Sequence, residues 1–369
     1  MHRIALGNTV FEGANNAYLH DGESTVLLDT GVAVGETRNE LEAGLESQGV
    51  EFADIDAIVL THYHADHTGL AGEIQAASGA TVYAHAADAP LIAGEQAAWE
   101  ELESIQRRLF DQWGMPPESQ DELVTFLEAG EGASIYGDPV DVTPIEDGQT
   151  LRLGDLTLEV VHAPGHTSGL CCFVPLEGDG EPGTDGERAT SGEDGERATS
   201  HQVYTGDALL PEYTPNVGGA DVRLDGALAA YVRTLEWFIE RDFVRAWPGH
   251  RMPIAEPATR ARDILLHHEQ RAYRVADALA KPETRVEEDL YSEHGPADAW
   301  TVSARLFGDL SNIHILHGPG EAYAHLEHLR DEGAVRMDDS GRYSLTETGR
   351  EQLAACTDGR WPLSELLRA

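Results

Sequence analysis

The run His62-x-His64-x-Asp66-His67 places four residues of metal-binding type within six positions. Imidazole nitrogens and carboxylate oxygens suit Zn2+ and related divalent ions. In an extended or loop segment alternate residues point the same way, so His62 and His64 can meet one ion while Asp66 and His67 turn towards a second position. Three further residues of ligand type stand alone along the chain, each preceded by glycine: His166, Asp207 and His250. Singly, each reads as an ordinary turn residue. With the first cluster they make a set of seven.

The elements that must position this set are legible from periodicity. Ile55-Asp56-Ala57-Ile58-Val59-Leu60 is an apolar stretch of strand length that runs straight into the first cluster. Strands are predicted at 156–161, 203–205 and 243–247, immediately ahead of the other three residues, and strand ends are where the loops of an α/β protein gather a site. Val26-Leu27-Leu28-Asp29 is a further buried strand, 36–48 a helix, 69–77 a helix and 80–84 a strand. Residues 91–136 interrupt this alternation with two helical patterns broken at Met115-Pro116-Pro117, and read as a helical insertion that is either a lid or a buttress. Residues 177–200 are rich in Gly, Glu, Asp, Ser and Thr and repeat Asp-Gly-Glu-Arg-Ala-Thr-Ser, the composition of a disordered acidic loop. Residues 259–281 form an amphipathic linking helix. From 282 to 369 the pattern is helices followed by one hairpin, 334–337 with 342–345, which suggests a small winged-helix-like domain.

Composition sets the solvent and the compartment. The chain has 369 residues with 25 basic and 66 acidic side chains, a formal charge of −41, and a single lysine, Lys281. Such a surface repels itself in dilute buffer, whereas molar salt shortens the screening length to about 3 Å. This resembles the acidic, lysine-poor proteins of a halophilic archaeon. No apolar run reaches membrane-spanning length. The start of the chain lacks the apolar core of a secretory signal, and three cysteines (Cys171, Cys172, Cys356) form no CxxC pair. A cytoplasmic protein without membrane partners is expected.

With these motifs in view, residues 3–255 resemble the metallo-β-lactamase superfamily. The resemblance implies an α/β, four-layer αββα sandwich over 1–258. It also implies two divalent ions, zinc first, with manganese or iron accepted by the same donors. One ion would lie on His62, His64 and His166, the other on Asp66, His67 and His250, with Asp207 shared. Asp29 would support a ligand without binding metal. The implied activity is hydrolysis of an ester, thioester, lactone or phosphodiester by a water whose pKa the ions bring near neutral, with Asp66 as a catalytic proton acceptor. Tyr213 and Asn216 are candidate oxyanion donors or simply packing and turn residues.

The helix with His267-His268-Glu269-Gln270-Arg271, followed by the winged-helix-like segment, resembles the lactamase-beta-2-like branch, which includes endoribonucleases of single-stranded RNA. A small-molecule substrate is expected first and RNA second. A glyoxalase II-like thioesterase and a nucleic-acid-binding regulator with a metal-binding domain are alternatives. The segment Glu321–Arg330 carries one arginine and no lysine, which argues against groove reading. Packing on the catalytic core or a homodimer contact is the plainer role for the C-terminal domain.

Overall fold

The computed structural model describes residues 1–7, 13–132, 135–176, 201–241, 243–280 and 295–368. The acidic repeat at 177–200 and Lys281 lie outside the described residues. Two sheets face each other. The first carries β1 (His2–Ala5), β2 (Asn16–Asp21), β3 (Thr25–Leu28), β4 (Ala57–Val59), β5 (Thr81–His85) and β6 (Val142–Ile145) in that spatial order, antiparallel up to β3 and parallel from β3 to β6. The second holds β7 (Thr150–Leu153), β8 (Leu156–His162), β9 (Cys171–Pro175), β10 (Gln202–Gly206) and β11 (Arg245–Pro248), with β10 and β11 parallel.

The two-residue period of these strands sorts their side chains between cores. Val26, Leu28, Ala57 and Val59 meet Leu158, Val160, Cys171, Phe173 and Tyr204 between the sheets. Leu27 and Ile58 point the other way, into the core under α1 (Gly35–Glu46) and α3 (Ala71–Ser78). Cys172 and Val174 face the core covered by α7 (Ala227–Arg241) and α8 (Pro257–Ala278). These layers are helix, sheet, sheet and helix, with α8 carrying the outer layer beyond residue 258. The cysteines are free, and Cys171 and Cys172 are core residues.

Short helices α2 (Ala65–Thr68) and α4 (Ala89–Ile92) follow the ends of β4 and β5. The insertion forms α5 (Gln96–Trp113), closed by Gly114, and α6 (Pro117–Gly132). It packs as a buttress. Trp113 is fully buried, its ring lies 5.8 Å from that of Tyr323, and Gln112 Nε2 donates to the Tyr323 hydroxyl at 3.2 Å.

Two expectations for the C-terminal third need correction. Residues 259–281 are not a bridge: α8 is a packed layer that contacts α7 on one side and the C-terminal helices on the other. The C-terminal segment is not a body apart either. It comprises α9 (Ala299–Phe307), α10 (His314–Asp331), a hairpin of β12 (Val335–Met337) and β13 (Tyr343–Leu345), and α11 (Glu347–Ala355). Ile315, Leu326 and Leu329 of α10 share one core with Leu27, Ile58 and Trp113, and Trp361 donates its backbone N–H to the Glu269 carbonyl. Among the described residues no helix is long and apolar enough to cross a membrane.

At Gly320 α10 comes so close to the 218–219 backbone that an added methyl group would strike Gly218 and Gly219. Gly320→Ala therefore sets two effects of opposite sign against each other. Alanine is the better helix former by about 1 kcal/mol, but overpacking against rigid backbone costs about 1–3 kcal/mol. Net destabilisation is expected by thermal unfolding in molar salt; a raised melting temperature would show that this contact is loose.

Candidate metal centre

All seven singled-out residues come together at one edge of the two sheets. His62 and His64 lie in the loop after β4, Asp66 and His67 in the single turn of α2, His166 beyond β8, Asp207 beyond β10 and His250 beyond β11. The donor atoms of His62, His64 and His166 lie within 4.8 Å of one another, as do those of His62, His67 and Asp207, and those of Asp66, His67 and His250. His64 Nδ1 is 3.0 Å from His62 Nε2 and 3.2 Å from His166 Nε2. Asp207 reaches both groups: its carboxylate is 3.7 Å from His166 Nε2, 3.5 Å from His67 Nε2 and 3.3 Å from His250 Nε2. Asp66 Oδ2 is 3.5 Å from His250 Nε2 and 3.9 Å from His67 Nε2. Ligands about 2.0–2.1 Å from a tetrahedral ion stand about 3.3 Å apart, so the spacing fits. Gly249 leaves this room, since a Cβ there would sit 2.5 Å from Asp207 Oδ1 and 2.6 Å from His67 Cε1.

The outward nitrogens settle which way each ring faces. His64 Nε2 meets the Ala220 carbonyl at 3.1 Å, His166 Nδ1 the Asn216 carbonyl at 2.9 Å, and His250 Nδ1 the Gly13 carbonyl at 2.9 Å. A carbonyl only accepts, so each of these nitrogens carries the hydrogen and the other turns a lone pair inward. Asp29 serves two more rings. His67 Nδ1 is 2.9 Å from Asp29 Oδ2, the same oxygen accepts from Thr61 Oγ1 at 2.9 Å, and Thr61 Oγ1 lies 3.0 Å from His62 Nδ1. Asp66 is steered by Asn15 Nδ2 at 3.1 Å. Asp29 matches its expected supporting role. Asn15 and the carbonyls of Gly13, Asn216 and Ala220 carry no signal a single sequence could show.

The interior electrostatics call for a cation. His67 Nε2, His250 Nε2 and Asp207 Oδ1 are buried without a well-directed hydrogen-bond partner among the described residues, and buried polar groups are seldom left so. Burial pushes His62 well below its usual range and His64 down to about 4, so both stay neutral. Burial acts in the same sense on His67 and His250, but Asp207 and Asp66 outweigh it, with Asp29 adding to the effect on His67. These two are raised to about 10 and about 9. Burial opposes the charge on Asp207, yet His250 and His67 hold it well below the carboxylate range.

One of the two candidate oxyanion donors is committed elsewhere. Asn216 Nδ2 donates to the His317 carbonyl at 3.1 Å, turning its amide to α10. Tyr213 is about half exposed, with the Arg251 guanidinium 4.7 Å over its ring. A second buried group, His268, His325 and Glu321, lies between α8 and α10. There the two imidazoles face each other at 3.3 Å and Arg271 holds the Glu321 carboxylate at 2.6 Å, so this group ties helices together.

Comparison with known proteins agrees with this geometry. Residues 10–179 match the metallo-beta-lactamase superfamily profile. The lactamase-like protein notP of Aspergillus sp. is 22% identical over 90% of this chain and 78% of its own length. An atrochrysone carboxyl ACP thioesterase of Emericella nidulans is 24% identical over 46% of this chain and 38% of its own. Among solved structures, a metallo-beta-lactamase family protein from Thermus thermophilus superposes with a TM-score of 0.71 at 26% identity, covering 94% of this chain and 98% of that one.

The raised His67 and His250 give a pH signature. Their folded-state values exceed the ordinary value of about 6.5, so the cationic rings stabilise the metal-free protein fully below about 6.5, and this stabilisation fades as pH climbs through about 9 to 10. An arriving ion displaces those protons. The melting temperature of metal-free protein should fall through that window while that of loaded protein holds. Calorimetry at neutral pH, in buffers of different ionisation heat, should register about one proton released per displaced imidazolium. Zero release would contradict the assignment.

Proposed function

We propose that this chain, a metal-dependent hydrolase of the metallo-β-lactamase fold, binds two ions and cleaves acyl thioesters of small-molecule or carrier-bound thiols. The observation that carries the dinuclear reading is the inward aim of five imidazole lone pairs onto Asp66 and Asp207, each outward nitrogen being held by an oxygen. His62, His64 and His166 would hold one ion, Asp66, His67 and His250 the other, and Asp207 both. Zinc is the ion proposed; manganese and iron accept the same donors. Such a pair supplies, when bound, a water that ionises near neutral pH and a Lewis acid for the acyl oxygen.

The protein's own groups do the rest. Thr61 and Asp29 fix the rings of His62 and His67, so that both halves of the site turn on one carboxylate. Asn15 holds Asp66 Oδ2, the same oxygen that faces His67 and His250, and Asp66 is the proton acceptor proposed there.

Two considerations favour a thioester. The likeness to an acyl-carrier thioesterase supports it directly. A thiol is also a good leaving group, with a pKa of about 8.5, and needs no strong acid. A phosphodiester polyanion would want free cations instead. Arginines on and beside the ligand-bearing loops are already engaged: Arg223 by Asp88 and Asp221, Arg251 by Glu212 and Tyr213, and Arg260 of α8 by the carbonyls of Leu210 and Tyr213. The C-terminal segment, read as winged-helix-like, then serves as a wall of the site and not as a nucleic-acid reader. The acidic, lysine-poor surface is read as an adaptation to molar salt, fitting a halophilic archaeal source.

The test is a hydrolysis panel in molar salt with an acyl thioester, a lactone and single-stranded RNA. Thiol release that a chelator abolishes and zinc restores is expected, with RNA left intact. Asp207→Ala should lower kcat/KM by more than about 100-fold, the upper effect of losing a group that merely supports a ligand. RNA cleavage without thioester turnover would overturn the substrate assignment.

A further inference from the structure

Tyr63 sits between His62 and His64, and Thr167 and Ser168 follow His166. Each is tied to a cluster of buried charges that the proposed chemistry does not use. Asp88, wholly buried at the start of α4, accepts from Tyr63 N at 3.1 Å and from Thr167 Oγ1 at 3.2 Å. Asp221, equally buried, accepts from the backbone and side chain of Ser168 at 2.7 and 2.8 Å. Arg223 joins the two carboxylates. Its Nη2 lies 2.6 Å from Asp88 Oδ1 and 2.7 Å from Asp221 Oδ2, its Nε donates to Asp221 Oδ1 at 2.9 Å, and its Nη1 donates to the Ala87 carbonyl at 2.7 Å. The same guanidinium lies 4.7 Å over the Tyr63 ring. Asp221 also follows Ala220, whose carbonyl takes both His64 Nε2 and the Tyr63 hydroxyl.

Through Tyr63, Thr167 and Ser168 this cluster reaches the loops of one half of the site. The three segments that carry or orient His62, His64 and His166 converge on it. Asp66, His67 and His250 are held by other groups: Asn15, Asp29 and the Gly13 carbonyl. Two carboxylates buried away from water are costly unless compensated, and the planar fork of one arginine satisfies both while reaching a third partner. Backbone N–H groups of Tyr63 and Ser168 complete the satisfaction, so the loops and the charges fix each other.

We infer that Asp88, Arg223 and Asp221 form a positioning triad dedicated to the three-histidine half of the metal centre. It sets the mutual spacing of His62, His64 and His166 without touching substrate or ion. The inference rests on the dinuclear reading above and gives one half a support of its own, beside the Asp29 contacts that both halves share.

The test counts ions. Purified full-length protein in molar salt is stripped with chelator, titrated with Co2+ and then dialysed, with bound metal measured by elemental analysis and Co2+ coordination by its visible absorption. Wild type is expected to keep two ions. Arg223→Gln should keep one, with affinity at the other position lowered about 10–100-fold, as for other groups that orient metal ligands. Ser168→Ala, which removes one hydroxyl contact and keeps the charges, should weaken the same position by less and covers the case in which the arginine variant does not fold. Asn15→Ala should weaken the opposite position. Equal retention of both ions, at wild-type affinity, in folded Arg223→Gln or Ser168→Ala overturns the triad while leaving the dinuclear reading intact. Wild type that binds no ion overturns both.

Discussion

Buried beside five imidazoles, the carboxylates of Asp66 and Asp207 make a centre that cannot be electrically neutral by itself. Their environment excludes water, and every imidazole has its outward nitrogen committed to an oxygen. What remains inside is a ring of lone pairs and two anionic groups. Protons on His67 and His250 meet this need in the metal-free protein, because the nearby carboxylates raise exactly those two rings while burial keeps His62 and His64 neutral. The division is what a metal site requires: neutral His62 and His64 ready for an ion on one side, and on the other two rings whose protons an ion must displace.

Much of the architecture answers to that constraint. Parallel pairing of β3 to β6, and of β10 with β11, delivers strand ends to one edge. The loops leaving that edge carry the ligands. Asp29, just after β3 and in a left-handed backbone conformation with φ 55°, supports His67 directly and His62 through Thr61, and so serves both halves from outside the ligand set. Across the gap, α10 presses its glycine face against the 216–221 loop, whose carbonyls orient His64 and His166. The C-terminal segment is thereby part of the site's wall.

How much of this the sequence disclosed depends on whether a role is tied to residue type. The seven candidate ligands were legible because only a few side chains bind divalent ions, and here each follows an apolar strand. The helical insertion was legible from its period, but not its destination: Trp113 packs on Tyr323, more than two hundred residues away in the chain. The 259–281 helix was read as a linker because its single apolar stripe was visible. Its second contact surface includes charged residues such as Glu269 and Arg271, which look like an exposed face until α10 and the C-terminal tail lie on them. Backbone carbonyls at Gly13, Asn216 and Ala220 leave no mark in a sequence at all. Asp88, Asp221 and Arg223 are common loop residues whose burial follows only from the fold.

The use of arginine connects the interior to the surface. A chain with one lysine and a charge of −41 has few cations to place, and several of them are not on the surface. Arg223 and Arg271 lie in the interior, each with its guanidinium on a buried carboxylate and against an aromatic ring. Lysine could not replace them, since a compact ammonium cannot present Nε and both Nη groups in one plane to several acceptors. The surface instead carries acidic groups that molar salt screens. Part of the small cation complement thus serves the scaffold around the candidate metal centre, where each guanidinium ties several acceptors at once.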